Sequence, residues 1–164
     1  MNTPFSVGNG SHLPALIKAV AASEGAILEF GVGMFSTPFL HFACHDQKRK
    51  LISFEGDWDY YKWYHLFEND YHKVIQVKDG DWQGLELPEH CGVAFIDHLP
   101  NSRRRFDIMR VANIADYIVV HDTQPRGEPR YKYSRVFPLF KYRKDFPGYP
   151  RTTVLSNIKD LSNL

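Results

Sequence analysis

The chain has only two cysteines, Cys44 and Cys91, too far apart in sequence for a metal-like pair and too few for a disulfide framework. A reducing, intracellular compartment fits that usage. No apolar stretch is long enough to span a bilayer, and no apolar run follows a basic start, so a cytoplasmic protein with no membrane attachment is expected. Charge of one sign is also scarce. A formal net charge of +1 gives no general pull toward nucleic acid or anionic membrane, and such binding would need a local patch. Internal repeats, low-complexity segments and dividing linkers are lacking too. The 164 residues are therefore expected to fold as one domain, 1–164, long enough to bury a core.

What the chain does have is one stretch around which the rest is organised. Residues 27–37 run an apolar strand into two closely spaced glycines, Gly31 and Gly33, and then into a helix start. That order suits a nucleotide-type ligand lying over a strand end: glycine lets the backbone turn or approach closely, and the helix start offers free N–H groups. A plain tight turn would carry the same two glycines. Aromatic residues, at 15% of the chain, can serve either the core or a site for planar ligands.

Around this stretch the pattern alternates strand and helix. Helices are expected over 13–23, with Ser11 as cap and Pro14 in the first turn, from 36 toward the polar run at 46–50, over 58–68 and over 102–112. Strands are expected over 26–30, 50–55, 72–77, 91–97 and 116–120. Short connections with right-handed crossovers make such a sheet parallel. Two further strands, over 131–142 and 151–156, are expected as an antiparallel hairpin closing one edge. Residues 1–10 read as an arm or loop that is ordered only if a ligand or a partner holds it.

In an open parallel sheet the ligand crevice lies beyond the C-terminal strand ends. Gly31, Gly33, Glu55, Asp79 or Asp81, Asp97 and Asp122 are all expected at that rim. Glu55 stands where a carboxylate accepts hydrogen bonds from ribose hydroxyls. Glu29, beside the glycine loop, would repel a pyrophosphate and attract a cationic or zwitterionic ligand, which argues against a nicotinamide dinucleotide.

At this point the residues carry a resemblance. Glu29-Phe-Gly31-Val-Gly33 resembles the first motif of class I S-adenosylmethionine-dependent methyltransferases, and Glu55 resembles their ribose-binding acid. Asp79-Gly80-Asp81-Trp82 is similar to the segment that contacts the adenine ring, with Trp82 as a flanking surface. Residues 92–97 resemble the fourth strand. The resemblance implies an α/β fold, a single-domain Rossmann-like sandwich with a mostly parallel seven-stranded sheet and an antiparallel C-terminal strand. It also implies an enzyme, a methyltransferase with S-adenosylmethionine as cofactor. Two departures stand out. Phe35 or Ser36 occupies the third glycine position, and Asp97-His98-Leu99-Pro100 stands where adenine- and glutamine-type N-methyltransferases carry Asn-Pro-Pro-Tyr.

Asp97 and Asp122 resemble the paired acids of metal-dependent small-molecule O-methyltransferases, which implies an optional Mg²⁺ held by these two carboxylates. His98 and His121 flank them and are the general-base candidates, with Asp97 as the third catalytic residue. Either histidine alone reads first as a satisfied turn residue, and His12 reads first as a helix-start residue. The function implied is methyl transfer to a hydroxyl of a small molecule of the sugar or phenol type. Two rival readings remain: a nucleic-acid or protein methyltransferase using Arg103, Arg104 and Arg105 with the basic, tyrosine-rich tail, and a noncatalytic binding module of the same fold. So compact a chain is also expected to form a homo-oligomer through the aromatic surface at 131–142.

Overall fold

The computed structural model describes residues 7–164. Most of the expected arm at 1–10 lies outside these residues; Val7–Gly10 forms a 3₁₀ turn. The sheet grows from strand β1, Ile27–Phe30, whose four residues are all buried. Strand β2, Leu51–Glu55, and strand β4, Cys91–Ile96, flank it in parallel, pairing Phe30 with Phe54 on one side and with Ile96 on the other. Strands β3, His72–Gln76, and β5, Ala115–Val120, extend the sheet outward. Near-continuous apolar runs in β1, β4 and β5 are what a sheet covered on both faces demands.

Two terminal strands complete a seven-stranded sheet of order β3-β2-β1-β4-β5-β7-β6. Strand β7, Thr152–Ser156, lies antiparallel between β5 and β6, Tyr142–Phe146. This is the expected α/β Rossmann-like sandwich. Strand alternation divides its core between the two faces: Leu28 and Phe30 pack with Trp82, Ile108 and Tyr133, while Ile27 packs with Leu16, Leu40 and Val93.

Helix α1, Leu13–Ala21, starts where expected, but His12 takes the cap position and no side chain caps it. The Ser11 hydroxyl is drawn away to the carbonyl of Pro150. Helix α2, Ser36–Asp46, follows the glycine loop. Helix α3 is only Trp58–Tyr64, continues as a 3₁₀ turn at His65–Phe67, and buries none of its residues. Helix α4, Arg104–Arg110, is preceded by a 3₁₀ turn at Asn101–Arg103.

The strand expected over 131–142 is a correction. Helix α5, Glu128–Tyr131, and two 3₁₀ turns occupy most of it, and only its last residue, Tyr142, belongs to a strand. Lys132 at φ 55° breaks the two-residue alternation a strand needs. The rings of Tyr131, Tyr133 and Phe137 then stack at 5.0 and 4.8 Å and close the core. Of the aromatic rings in this stretch, those of Tyr131, Tyr133, Phe137 and Phe140 are buried, while Lys132, Ser134, Arg135, Pro138, Leu139 and Lys141 stay exposed.

Candidate functional site

The switch point of this sheet lies between β1 and β4, where crossovers leave in opposite directions and open a crevice beyond the strand ends. A cavity of about 310 Å³ lies there, a size in the range of small-molecule sites. Its walls come from the loop Gly31–Ser36, from Glu55 and Tyr60 after β2, from Asp97 after β4, and from Asn9 and His12 ahead of α1.

The two glycines serve different ends. Gly31 sits at φ +93°, and a Cβ there would fall 2.7 Å from the backbone N and Cα of His98. It is required by the close approach of the β1 and β4 ends. Gly31→Ala is expected to cost about 2 kcal/mol from the left-handed strain and the backbone clash, read as a lower urea midpoint; an unchanged midpoint would contradict the assignment. Gly33 meets no backbone in this way, and its N–H donates to Thr37 Oγ1 at 2.9 Å.

Glu55 faces the cavity and organises its rim. One carboxylate oxygen accepts from the Val32 N–H at 3.0 Å and the other from the Asp57 N–H at 2.7 Å. Burial raises its pKa, and these backbone donors oppose the shift. Glu29, expected at the cofactor, is fully buried behind the loop and does not line the cavity. It accepts from Thr37 Oγ1 at 2.9 Å and Ser53 Oγ at 2.6 Å, so it acts on the glycine loop through Thr37.

Asp97 and Asp122 do converge, but on a cation the chain itself supplies. Arg104, 3% exposed, reaches Asp97 Oδ1 at 2.9 Å and Asp122 Oδ2 at 3.3 Å, and donates to the carbonyls of His98 and Asp97 at 2.7 Å each. Tyr131 also donates to Asp122, at 2.9 Å. Burial works against ionisation of Asp97, yet Arg104 and His121 outweigh it and hold the carboxyl below its usual range. A Mg²⁺ ion shared by these two acids does not fit, because a guanidinium already takes both.

His121, buried at the end of β5, bonds Asp97 Oδ2 through Nδ1 at 3.1 Å and Ser11 Oγ through Nε2 at 3.0 Å. It sits behind the cavity wall. His12 does line the cavity, 4.9 Å from His121 between ring centroids, and neither of its buried nitrogens has a hydrogen-bond partner. Burial, reinforced by His121, lowers the His12 pKa to about 4. Its ring is neutral at pH 7. In sequence His12 reads first as a helix-start residue, and the resemblance offers in addition a segment folded over the methionine end of the cofactor.

Of the other expected site residues, His98 and Trp82 are packed into the fold. His98 borders the cavity floor, but it packs 4.1 Å from Trp82 and its Nε2 contacts Asp107 at 3.1 Å, in a network with Arg103 and Arg110. Burial lowers its pKa, opposed by Asp107. Trp82 is 1% exposed and lies beneath Gly56 as core rather than as a flanking surface. Asp79 and Asp81 stay exposed after β3 and do not line the cavity; Asp81 accepts from the Gly84 N–H. The basic patch is dispersed as well: Arg103 binds Asp107, Arg104 is internal, and Arg105 lies over the Phe106 ring. With Tyr131 and Tyr133 buried, the stacking platform expected for nucleic acid loses two of its rings.

No family model matches the chain, and no curated protein matches it in sequence. Among solved structures it is similar to the O-methyltransferase from Bacillus cereus in complex with SAH, at 14% identity over 97% of this chain and 84% of that one, with a TM-score of 0.62. It is similar also to the human methyltransferase 10 domain containing protein, at 10% identity over 92% and 83% with a TM-score of 0.61. A methyltransferase from Pyrococcus furiosus matches at 14% over 90% and 83%, with a TM-score of 0.59. At such identities the likeness defines the fold, a class I methyltransferase-like Rossmann fold. No helix among the described residues is long and apolar enough to cross a membrane.

Proposed function

We propose that this chain binds S-adenosylmethionine in the cavity between β1 and β4 and transfers its methyl group to a hydroxyl oxygen of a small molecule. The observation that carries the reading is that the loop 31–36, Glu55, His12 and Asp97 line one cavity, with His121 beside His12 and Asp97 behind its wall. Bound there, the cofactor supplies a methyl group on a positively charged sulfur. Glu55 keeps lone pairs for ribose hydroxyls beside the two backbone N–H groups it already accepts from. Gly33, with no backbone within reach of a Cβ, leaves room for close approach of the ligand. Unpartnered in the cavity wall, His12 would take the acceptor hydroxyl's proton as the methyl group passes from the sulfur to that oxygen. The cluster beside the cavity favours this enzyme over the noncatalytic module.

Isothermal calorimetry with S-adenosylmethionine, with NADH as control, tests the reading. One-to-one binding of S-adenosylmethionine alone is expected, weakened about tenfold or more in Glu55→Gln through loss of charge-assisted hydrogen bonds. Folded protein that takes up no S-adenosylmethionine would overturn it.

A further inference from the structure

The contact between His121 and Asp97 does not balance with a neutral, singly protonated imidazole. Ser11 donates its only hydroxyl proton to the carbonyl of Pro150 at 2.6 Å. Its oxygen must therefore accept from His121, which puts a proton on Nε2. A neutral ring then has a bare lone pair on Nδ1, facing the ionised Asp97 Oδ2 at 3.1 Å. Two acceptors at that distance need a positive species between them, either a second proton or a metal ion.

A third donor stands beside them. His12, 3% exposed, has both nitrogens buried without a partner, an unfavourable state for a buried polar group. Donor atoms of His12, Asp97 and His121 all lie within 4.8 Å of one another. Bonds of about 2.0–2.1 Å put tetrahedral ligands roughly 3.4 Å apart, so a small side-chain rotation of His12 brings the set to bonding distance. Ser11 on Nε2 of His121 supplies the outer hydrogen bond that orients a ligating imidazole.

We propose that His12, His121 and Asp97 bind a divalent first-row transition ion of the zinc type. Two imidazole nitrogens and one carboxylate oxygen select such an ion over Mg²⁺, which prefers an all-oxygen shell. Arg104 holds the other Asp97 oxygen, leaving Oδ2 for the ion. Three protein ligands leave an open position toward the cavity that His12 and Asp97 line, as in catalytic zinc sites. Placing the acceptor hydroxyl in that position, where the ion would replace His12 in promoting loss of its proton, rests on the proposed methyl transfer; the binding of the ion does not.

Titration of Zn²⁺ alone into the metal-stripped full chain, without S-adenosylmethionine, tests the site. One-to-one binding is expected, with no heat from Mg²⁺ at the same concentrations. Ser11→Ala should weaken Zn²⁺ by about 10–100-fold, the range for losing an outer-shell partner, and His12→Ala by more than that. Because the His12 ring makes no hydrogen bond, its removal leaves the polar framework intact, which keeps the test valid if His121→Ala fails to fold. Substituted Co²⁺ should give a visible ligand-field band that His12→Ala abolishes. No Zn²⁺ binding, or binding that His12→Ala leaves unchanged, would overturn the proposal. Zinc uptake without S-adenosylmethionine uptake would sustain the metal site and remove the methyl-transfer reading, and the reverse outcome would do the opposite.

Discussion

Arg104→Met is expected to destabilise the chain by about 3–5 kcal/mol, the cost of leaving a buried charge network without one partner. Arg104 ties the end of β4 to the end of β5 through two carboxylates and two carbonyls, and its guanidinium lies 5.1 Å over the Tyr131 ring. Methionine fills much of the same volume, so the loss would be electrostatic and hydrogen-bonding in origin. In a chain of this length the midpoint of thermal unfolding should fall by roughly 10 °C. Lysine will not restore it, because one ammonium cannot span these acceptors as a planar guanidinium does. The variant also leaves Asp97 and Asp122 facing one another without their cation. Added Mg²⁺ should then raise the midpoint of Arg104→Met while leaving the natural chain unmoved. A loss below about 1 kcal/mol, the value of an exposed pair, would mean that Arg104 only decorates the surface.

Why the sequence hides this residue is a matter of periodicity. Arg103, Arg104 and Arg105 are adjacent in the chain, yet successive residues at the start of α4 point about 100° apart around the axis. One meets Asp107 four residues on, one turns inward to Asp97 and Asp122, and one lies over Phe106. A string of three cations thus reads as a surface patch while its middle member is core. His12 is hidden differently, because its neighbours arrive from the ends of β4 and β5, far away in sequence. Tyr131 and Tyr133 looked like strand residues until Lys132 turned the chain between them.

What was legible followed from local rules. The buried parallel strands are short apolar runs, and Glu55 and Asp97 were placed at the rim by counting strand ends. Asp79 and Asp81 obeyed the same count but follow β3, the edge strand, so their loop lies away from the switch point. Glu29 could be recognised as out of place beside a phosphate-type loop. Its actual direction could not, since strand alternation sends it to the face covered by α2, and which face that is depends on the crossover.

That direction gives the last expected result: the natural chain should lose about 2–3 kcal/mol of stability relative to Glu29→Gln between pH 5 and pH 8. Glu29 is wholly buried, and burial raises its pKa from the ordinary 4.5 to about 7, only partly offset by hydrogen bonds from Ser53, Ser36 and Thr37. A carboxyl that binds its proton more tightly when folded stabilises the fold below 4.5, and that contribution fades as pH rises through about 7. Glutamine stays neutral throughout and lacks this slope. It can also be accommodated, because the polar chain behind Glu29 is reversible. Tyr71 donates to His41 Nε2, His41 Nδ1 to His72 Nδ1, His72 Nε2 to Ser53 and Ser53 to Glu29, with contacts of 2.6–3.0 Å. An amide donating to Ser53 flips both ring tautomers and sends every bond the other way. His72, whose pKa burial lowers to about 4, stays neutral over most of this range, and its own pH dependence is common to both proteins. Urea unfolding of the two chains at matched pH measures the difference. Parallel stability curves from pH 5 to 8 would mean that Glu29 is ionised in both the folded and unfolded states, and that its three hydroxyl partners outweigh its burial.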